Sequence, residues 1–284
     1  MDASGPNAEQ ITYWNEQTGQ KWVAVQARLD AMIAPFGDAA MAALGPRPGK
    51  RLIDVGCGCG TTTLALAERV TPSGSVLGVD VSEPMLARAR EVAAARGVDH
   101  VRFVAADAQV HAFPEGGSDG VFSRFGVMFF ADPTAAFANL SRALVPGGRV
   151  AFACWQALFD NAWIRVPMMA LGAIMPLPPP PPPDAPGPGA FADRERVTGI
   201  LERAGLRDVH FESFTPDVVL SGDGGIDEAV RFALEIGPTS RAIADAPPDL
   251  KVKAAAALAE AFAPHASARG VVLPSAAWIV TARR

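Results

Sequence analysis

One feature constrains this chain above all others: an apolar run that ends in a loop with glycine at alternate positions. It reads Leu52-Ile53-Asp54-Val55-Gly56-Cys57-Gly58-Cys59-Gly60-Thr61. The run predicts a strand, and the residues after Gly60 predict a helix. Such a loop brings bare backbone close to a ligand and aims helix N-terminal amides at it. Three ligand classes compete for it. A phosphate-binding loop of the nucleoside triphosphate type ends in Gly-Lys-Ser or Gly-Lys-Thr, whereas Gly60 is followed by Thr61-Thr62-Thr63, so that class is excluded. The dinucleotide fingerprint wants its third glycine one residue later, where Thr61 stands, and asks for no acid two places before the first glycine. Nicotinamide and flavin dinucleotides are therefore disfavoured.

Around this loop strands and helices alternate. Apolar runs predict strands over 51–55, 75–81, 101–106, 120–124 and 149–155. Between them lie helical patterns over 61–70, 82–96 and 133–144, with Ser82 expected as N-cap and Pro84 tolerated in the first turn. Runs apolar on both sides of the pleat and separated by helices predict a parallel sheet covered on both faces. Later signals are a helix over 194–204, a strand over 210–220, helices over 226–236 and 249–263, and a closing strand over 276–282. The expected fold is α/β: a doubly wound, Rossmann-like sheet of about seven strands. It is mostly parallel with an antiparallel C-terminal strand, plus N-terminal helices and helical insertions.

The flanks divide the chain further. Ile11, Trp14, Thr18, Trp22, Val25, Leu29 and Met32 recur at spacings of three and four, predicting an amphipathic helical segment that Gly19 is placed to break. Residues 176–188 hold nine prolines, six of them consecutive from Pro178 to Pro183. This run favours extended polyproline conformation, and it reads either as a surface spacer or as the edge of a substrate pocket. The expected organisation is an N-terminal helical lid (1–50), a ligand-binding core (51–155), a Pro-rich insertion or cap (156–192) and the remainder of the core (193–284), with a helical insertion over 221–273.

Asp54 to Gly60 match in full the first motif of the class I S-adenosylmethionine-dependent methyltransferases, and the chain resembles that family at three further places. Asp80 ends the second strand, where the resemblance implies a carboxylate bonded to the ribose hydroxyls, with Val81 and Met85 nearby. Asp107-Ala108 follows the third strand and resembles the family's adenine contact. Phe122-Ser123-Arg124-Phe125-Gly126-Val127-Met128-Phe129-Phe130, then Asp132-Pro133 and Leu144-Val145-Pro146-Gly147-Gly148, look like the branch that includes the ubiquinone and menaquinone C-methyltransferases. There the backbone after the fourth strand, at Arg124 here, meets the cofactor. The resemblance thus implies S-adenosyl-L-methionine as cofactor, held by Asp54, Gly56, Cys57, Gly58, Gly60, Asp80, Val81, Met85, Asp107, Ala108 and Arg124. It covers residues 51–155 and leaves the acceptor-binding segments outside. Tyr13, Trp14, Trp22, Met128 and Trp155 are the residues expected to face the acceptor, packing in the hydrophobic interior being the competing role.

Other readings narrow the chemistry. With 25 Lys and Arg against 30 Asp and Glu the chain carries a formal net charge of −5, which argues against nucleic-acid partners. Its 3 cysteines are too few for a disulfide framework. Cys57 and Cys59 lack the second Cys or His pair a metal site needs, so packing is their expected role. The N-terminus shows no signal-peptide pattern and no apolar stretch is long enough to span a bilayer. A cytoplasmic enzyme with a small-molecule acceptor and no membrane partner is expected. The segment after the fourth strand lacks the Asn/Asp-Pro-Pro-Tyr/Phe pattern of amino-methylating nucleic-acid enzymes and the acids of the magnesium-dependent catechol methylators. The expectation is metal-independent methyl transfer by direct displacement. Its rivals are a catalytically silent S-adenosylmethionine-binding protein and a nicotinamide-dependent oxidoreductase.

Overall fold

The computed structural model describes residues 5–284, with only the backbone at Gln17; the first four residues, on which the reading of the N-terminus partly rests, lie outside it. Five strands and their helices follow the glycine-loop signal in turn. They are β1 (Arg51–Val55), α4 (Thr61–Val70), β2 (Ser75–Asp80), α5 (Glu83–Ala95), β3 (Val101–Ala105), β4 (Ser118–Arg124), α6 (Pro133–Ala143) and β5 (Leu144–Trp155). Before them come α1 (Ala8–Asn15), α2 (Gln17–Ala24) and α3 (Gln26–Leu44). After them come α7 (Ala162–Gly172), α8 (Arg194–Arg203), β6 (Arg207–Phe214), β7 (Asp217–Val219), α9 (Gly225–Glu235), α10 (Gly237–Ala242), α11 (Pro248–Phe262), β8 (Ala266–Ser267), β9 (Gly270–Pro274) and β10 (Ala277–Arg283).

The main sheet has 7 strands in the order β3-β2-β1-β4-β5-β10-β6, parallel except for β10, which runs antiparallel to both β5 and β6. The strand order reverses between β1 and β4. In an open sheet of this kind ligands bind outside the carboxyl ends of the strands at that reversal. The two faces can be told apart on β5. Phe152 packs on Phe137 of α6, whereas Trp155, of opposite parity, packs on Phe36 of α3. Side chains alternate across a pleat, so α3 and α6 cover opposite faces. Asp132 starts α6 by accepting the Ala135 amide at 3.0 Å, with Pro133 in its first turn. Gly45, at φ 65°, ends α3 in left-handed conformation.

Several expectations change. The N-terminal segment breaks at Glu16 and Val25 rather than at Gly19, which lies inside α2, where any Cβ would collide with the Trp14 carbonyl. The helix then continues through Pro35 to Leu44, because Leu29, Met32, Ile33, Phe36, Ala40, Met41 and Leu44 form one buried stripe. The strand expected over 210–220 is two strands in different sheets. Pro216, which has no N–H for a ladder, sits at the corner, and β7 pairs with β9 in a small sheet of β7-β9-β8. The segment 221–273 therefore contains strands as well as helices. Ser82 stands at the N-cap of α5, but its hydroxyl donates to the Trp14 carbonyl at 2.8 Å instead of capping the helix. Helix α7 was not expected from the sequence. The run Pro178–Pro183 lies exposed on the surface. Among the described residues no helix is long and apolar enough to cross a membrane.

Candidate functional site

Outside the carboxyl ends of β1, β2, β3 and β4 lies a cavity of about 210 Å³. Gly56, Asp80, Val81, Met85, Asp107, Ala108 and Arg124 all lie on its wall, so the loops after the first three strands share one space. Tyr13, Trp14, Trp22, Met128 and Trp155 line it as well. Asp54, Cys57, Gly58 and Gly60 do not line it, and each has a visible task behind the wall. Asp54 is fully buried and accepts the Thr62 and Thr63 hydroxyls, each at 2.7 Å, pinning the start of α4 to β1. Burial pushes its carboxyl up to about 6, against the pull of those two hydroxyls. Cys57 and Cys59 are packed thiols; burial raises Cys59 to about 12 and Cys57 well above its ordinary value, which disfavours the reactive thiolate. The Gly58 amide donates to Asp80 Oδ2 at 2.8 Å, and Gly60 packs where a Cβ would meet Phe103 and Ala89 at 2.9 Å.

Asp80 thus organises the loops around it before any ligand arrives. Its Oδ1 accepts the Ser82 amide at 2.9 Å while Oδ2 holds Gly58, and burial still raises its pKa against these bonds. Each carboxylate oxygen has two lone pairs, so capacity remains for hydroxyl donors. Asp107 is arranged differently. Its Oδ1 accepts from Asn7 Nδ2 at 2.8 Å and from the Gln109 amide at 2.9 Å, while Oδ2 is buried without any partner. A buried acceptor left unpaired costs about 1–3 kcal/mol, which a donor on a ligand would remove.

The N-terminal helices are tied to these loops. Asn7 and Asn15 stand at the two ends of α1. Asn7 also accepts the Ala131 amide at 2.6 Å; Asn15 donates to the Val81 carbonyl at 2.7 Å and accepts the Glu83 amide at 3.0 Å. On α3, Asp30 accepts from Arg124 at 2.6 Å and from the Thr61 hydroxyl at 2.7 Å, joining α3 to the ends of both β4 and the glycine loop. None of Asn7, Asn15 and Asp30 belongs to a recognisable motif. Gly126, read from the sequence only as part of the segment after the fourth strand, abuts Gly56, and a Cβ on Gly56 would lie 2.7 Å from the Gly126 Cα.

The rest of the wall is apolar and aromatic. Phe125 has φ 65°, rare for a residue with a side chain, and stacks on Trp155 with centroids 4.1 Å apart and planes 14° from parallel. Trp163 of α7 lies next in this column, 5.2 Å from Trp155, with its indole N–H already donated to Asn161. Phe232, Ile236 and Pro238, on and between α9 and α10, close another side, and Pro188 extends from the Pro-rich segment. Arg28 clasps α9 to α3 through Glu228 and lies over the Phe232 ring. Among the described residues no group of three or more His, Cys, Asp or Glu could hold a metal ion.

Comparison with known proteins decides the family. A family model described as a methyltransferase domain matches residues 52–148. Demethylmenaquinone methyltransferase from Staphylococcus aureus is 37% identical over 185 residues, spanning 62% of this chain and 75% of that protein. The chain belongs to the class I S-adenosylmethionine-dependent methyltransferases. Nocamycin O-methyltransferase from Saccharothrix syringae is 42% identical over 105 residues, which cover 37% of this chain but only 38% of that relative. The YcgJ protein of Bacillus subtilis has the same fold, with a TM-score of 0.58 at 17% identity, covering 88% of this chain and 98% of that one. The part of this family member that the model matches carries the glycine loop, Asp80, Asp107 and Arg124. Most of the aromatic wall lies outside it.

Proposed function

We propose that the protein transfers a methyl group from S-adenosyl-L-methionine to a small, largely apolar acceptor. The observation that carries this is the shared cavity: Gly56, Asp80 and Asp107 line it together with the aromatic column of Phe125, Trp155 and Trp163, and Asp107 keeps a buried Oδ2 without a partner. The residues fit the cofactor. Asp107 Oδ2 suits the exocyclic amine of adenine, Asp80 suits the ribose hydroxyls, and the bare backbone at Gly56 suits the methionine portion.

When bound, S-adenosylmethionine supplies an electrophilic methyl group on a sulfonium. The chain's own contribution is alignment and exclusion of water, as an apolar, lidded cavity provides. The ionisable groups on the described wall are Tyr13, Asp80, Asp107, Arg124 and Arg241, with no histidine among them. With Asp80, Asp107 and Arg124 already engaged, no dedicated base is assigned. Acceptors whose nucleophile ionises readily suit such a site, and the reaction needs no metal. The compounds in the names of the two relatives, nocamycin and demethylmenaquinone, are small molecules, in keeping with this class of acceptor. A cytoplasmic location is part of the same proposal.

Calorimetric titration with S-adenosylmethionine, S-adenosylhomocysteine and NADH tests the first half. Saturable binding of the first two and none of the third is expected; the reverse pattern would return the nicotinamide reading. Mass spectrometry of S-adenosylhomocysteine formed with a panel of phenols, naphthols and quinols tests the second half. Binding with no acceptor-dependent turnover across that panel would favour a silent binding protein.

A further inference from the structure

Arg124 on the cavity wall, and Arg28 behind it over the Phe232 ring, are each held by a carboxylate, Asp30 and Glu228. Arg241 is different. It lies on the cavity wall from α10, exposed to solvent, and among the described residues has no carboxylate within ion-pair distance and no side-chain hydrogen bond. The residues that line the wall beside it, Ile236, Gly237 and Pro238, with the Trp163 ring next to Gly237, are all uncharged. The indole N–H of Trp163 is already bonded to Asn161, so this tryptophan offers its ring rather than a donor.

We propose that Arg241 reads an anionic substituent on the acceptor, so that the substrate is a flat, fused aromatic acid: its rings lie against the Phe125, Trp155 and Trp163 column and its carboxylate meets the guanidinium at the cavity mouth. This rests on the reading of the cavity as a methyl-acceptor site. Apolar walls bind a flat ring system but do not orient it, because burial is non-directional. A few placed polar groups fix orientation in such pockets, and a guanidinium matches a carboxylate through two parallel hydrogen bonds. The cofactor end of the cavity carries Asp80 and Asp107, whose negative charge turns an acid away from that end. The acid group is therefore drawn towards α10 and the rings towards the column.

The probes are 3-hydroxy-2-naphthoate and its neutral counterpart 2-naphthol, titrated calorimetrically into the full chain at pH 7, with and without saturating S-adenosylhomocysteine. The wild type is expected to bind the naphthoate at least tenfold more tightly than the naphthol. Arg241→Gln should bring that ratio close to one, with the affinities for 2-naphthol and S-adenosylhomocysteine unchanged. Arg241→Lys should keep part of the preference. Equal affinity of the wild type for the two probes, failure of both to bind, or a preference that survives Arg241→Gln overturns the proposal. A loss of S-adenosylhomocysteine affinity in Arg241→Gln with the preference intact overturns it too, since Arg241 would then serve the cofactor's own carboxylate. Because the probes are also titrated alone, failure of the protein to bind S-adenosylhomocysteine is recorded separately and counts against the methyltransferase reading.

Discussion

Asn7, just ahead of the first helix, donates from Nδ2 to Oδ1 of Asp107 at 2.8 Å, spanning 100 residues of sequence, while Oδ2 of that carboxylate stays buried without a partner. Two donors on one oxygen, Asn7 and the Gln109 amide, fix the plane of the carboxyl group before a ligand arrives. Asn7→Ala should raise the dissociation constant for S-adenosylmethionine roughly tenfold, the order expected for one hydrogen bond to a charged group. Asn7→Asp should be worse, because a second carboxylate would face the first. Calorimetric titration of both variants checks this, and affinities equal to the wild type would remove Asn7 from the site.

Asp80 has a double task, and its substitutions separate the two. Its oxygens hold the Gly58 and Ser82 amides at 2.8 and 2.9 Å. Asp80→Ala should therefore lower the midpoint of thermal unfolding even without ligand, besides weakening cofactor binding by roughly 1.5–3 kcal/mol. Asp80→Asn keeps an acceptor for one amide but presents N–H groups to the other, so it should retain part of the stability while still binding the cofactor poorly. A scan of each variant with and without S-adenosylhomocysteine measures both effects. Full ligand-induced stabilisation in Asp80→Ala would show that the carboxylate serves the loops alone.

How much of this could be read beforehand depends on what kind of signal a residue carries. Strands β1, β2, β4 and β5 were visible because a strand covered on both faces is largely an apolar run, β3 at the sheet edge because of its β-branched and aromatic residues, and the ligand loops because glycines and acids stand where those runs stop. Helix α3 was only half visible, since Pro35 interrupts the local propensity that a buried stripe overrides. Helix α7 was lost in an apolar, proline-containing stretch, and β8 and β9 are too short to show a period. At the site, Asp80 and Asp107 announce themselves by position. Asn7 and Asp30 do not: they act through partners far away in sequence that only tertiary folding brings near, and Trp163 lies on a helix that the sequence did not announce. The same holds for Arg241, which no motif marks and which reaches the wall because α10 turns back over α7.

Gly126 sits so close to the glycine loop that a single methyl group there should separate the two. A Cβ on Gly126 would lie 2.7 Å from the Val55 carbonyl oxygen and 2.8 Å from the Gly56 Cα, and both obstacles are backbone. Neither can swing aside as a side chain would. Gly126→Ala should destabilise the fold by about 1–3 kcal/mol, the usual range for overpacking, and reduce cofactor affinity further by displacing the loop after β4. Urea unfolding and calorimetry on the variant check the two effects. Wild-type values in both would mean that the loops are free to part without consequence.

Asp54 makes a prediction about pH whose sign follows from its burial. Its carboxyl is pushed up to about 6 in the folded protein, first by burial, with the Thr63 and Thr62 hydroxyls pulling the other way. In the unfolded chain it takes the ordinary value of 3.8. The folded state therefore holds this proton more tightly, so the stability linked to it is full below about pH 3.8 and is lost as pH rises through about 6. The gap corresponds to about 3 kcal/mol when fully developed. Asp54→Asn keeps an oxygen for the two threonine hydroxyls but cannot ionise. The stability of the wild type relative to Asp54→Asn should accordingly fall, by up to that amount, as the buffer is taken from pH 4 to pH 7. Taking the difference between the two proteins cancels the contribution of the other carboxylates, Asp80 included, apart from its coupling to Asp54. Urea unfolding at intervals across that range gives the curve, and a difference that stays flat or rises with pH would contradict the burial argument.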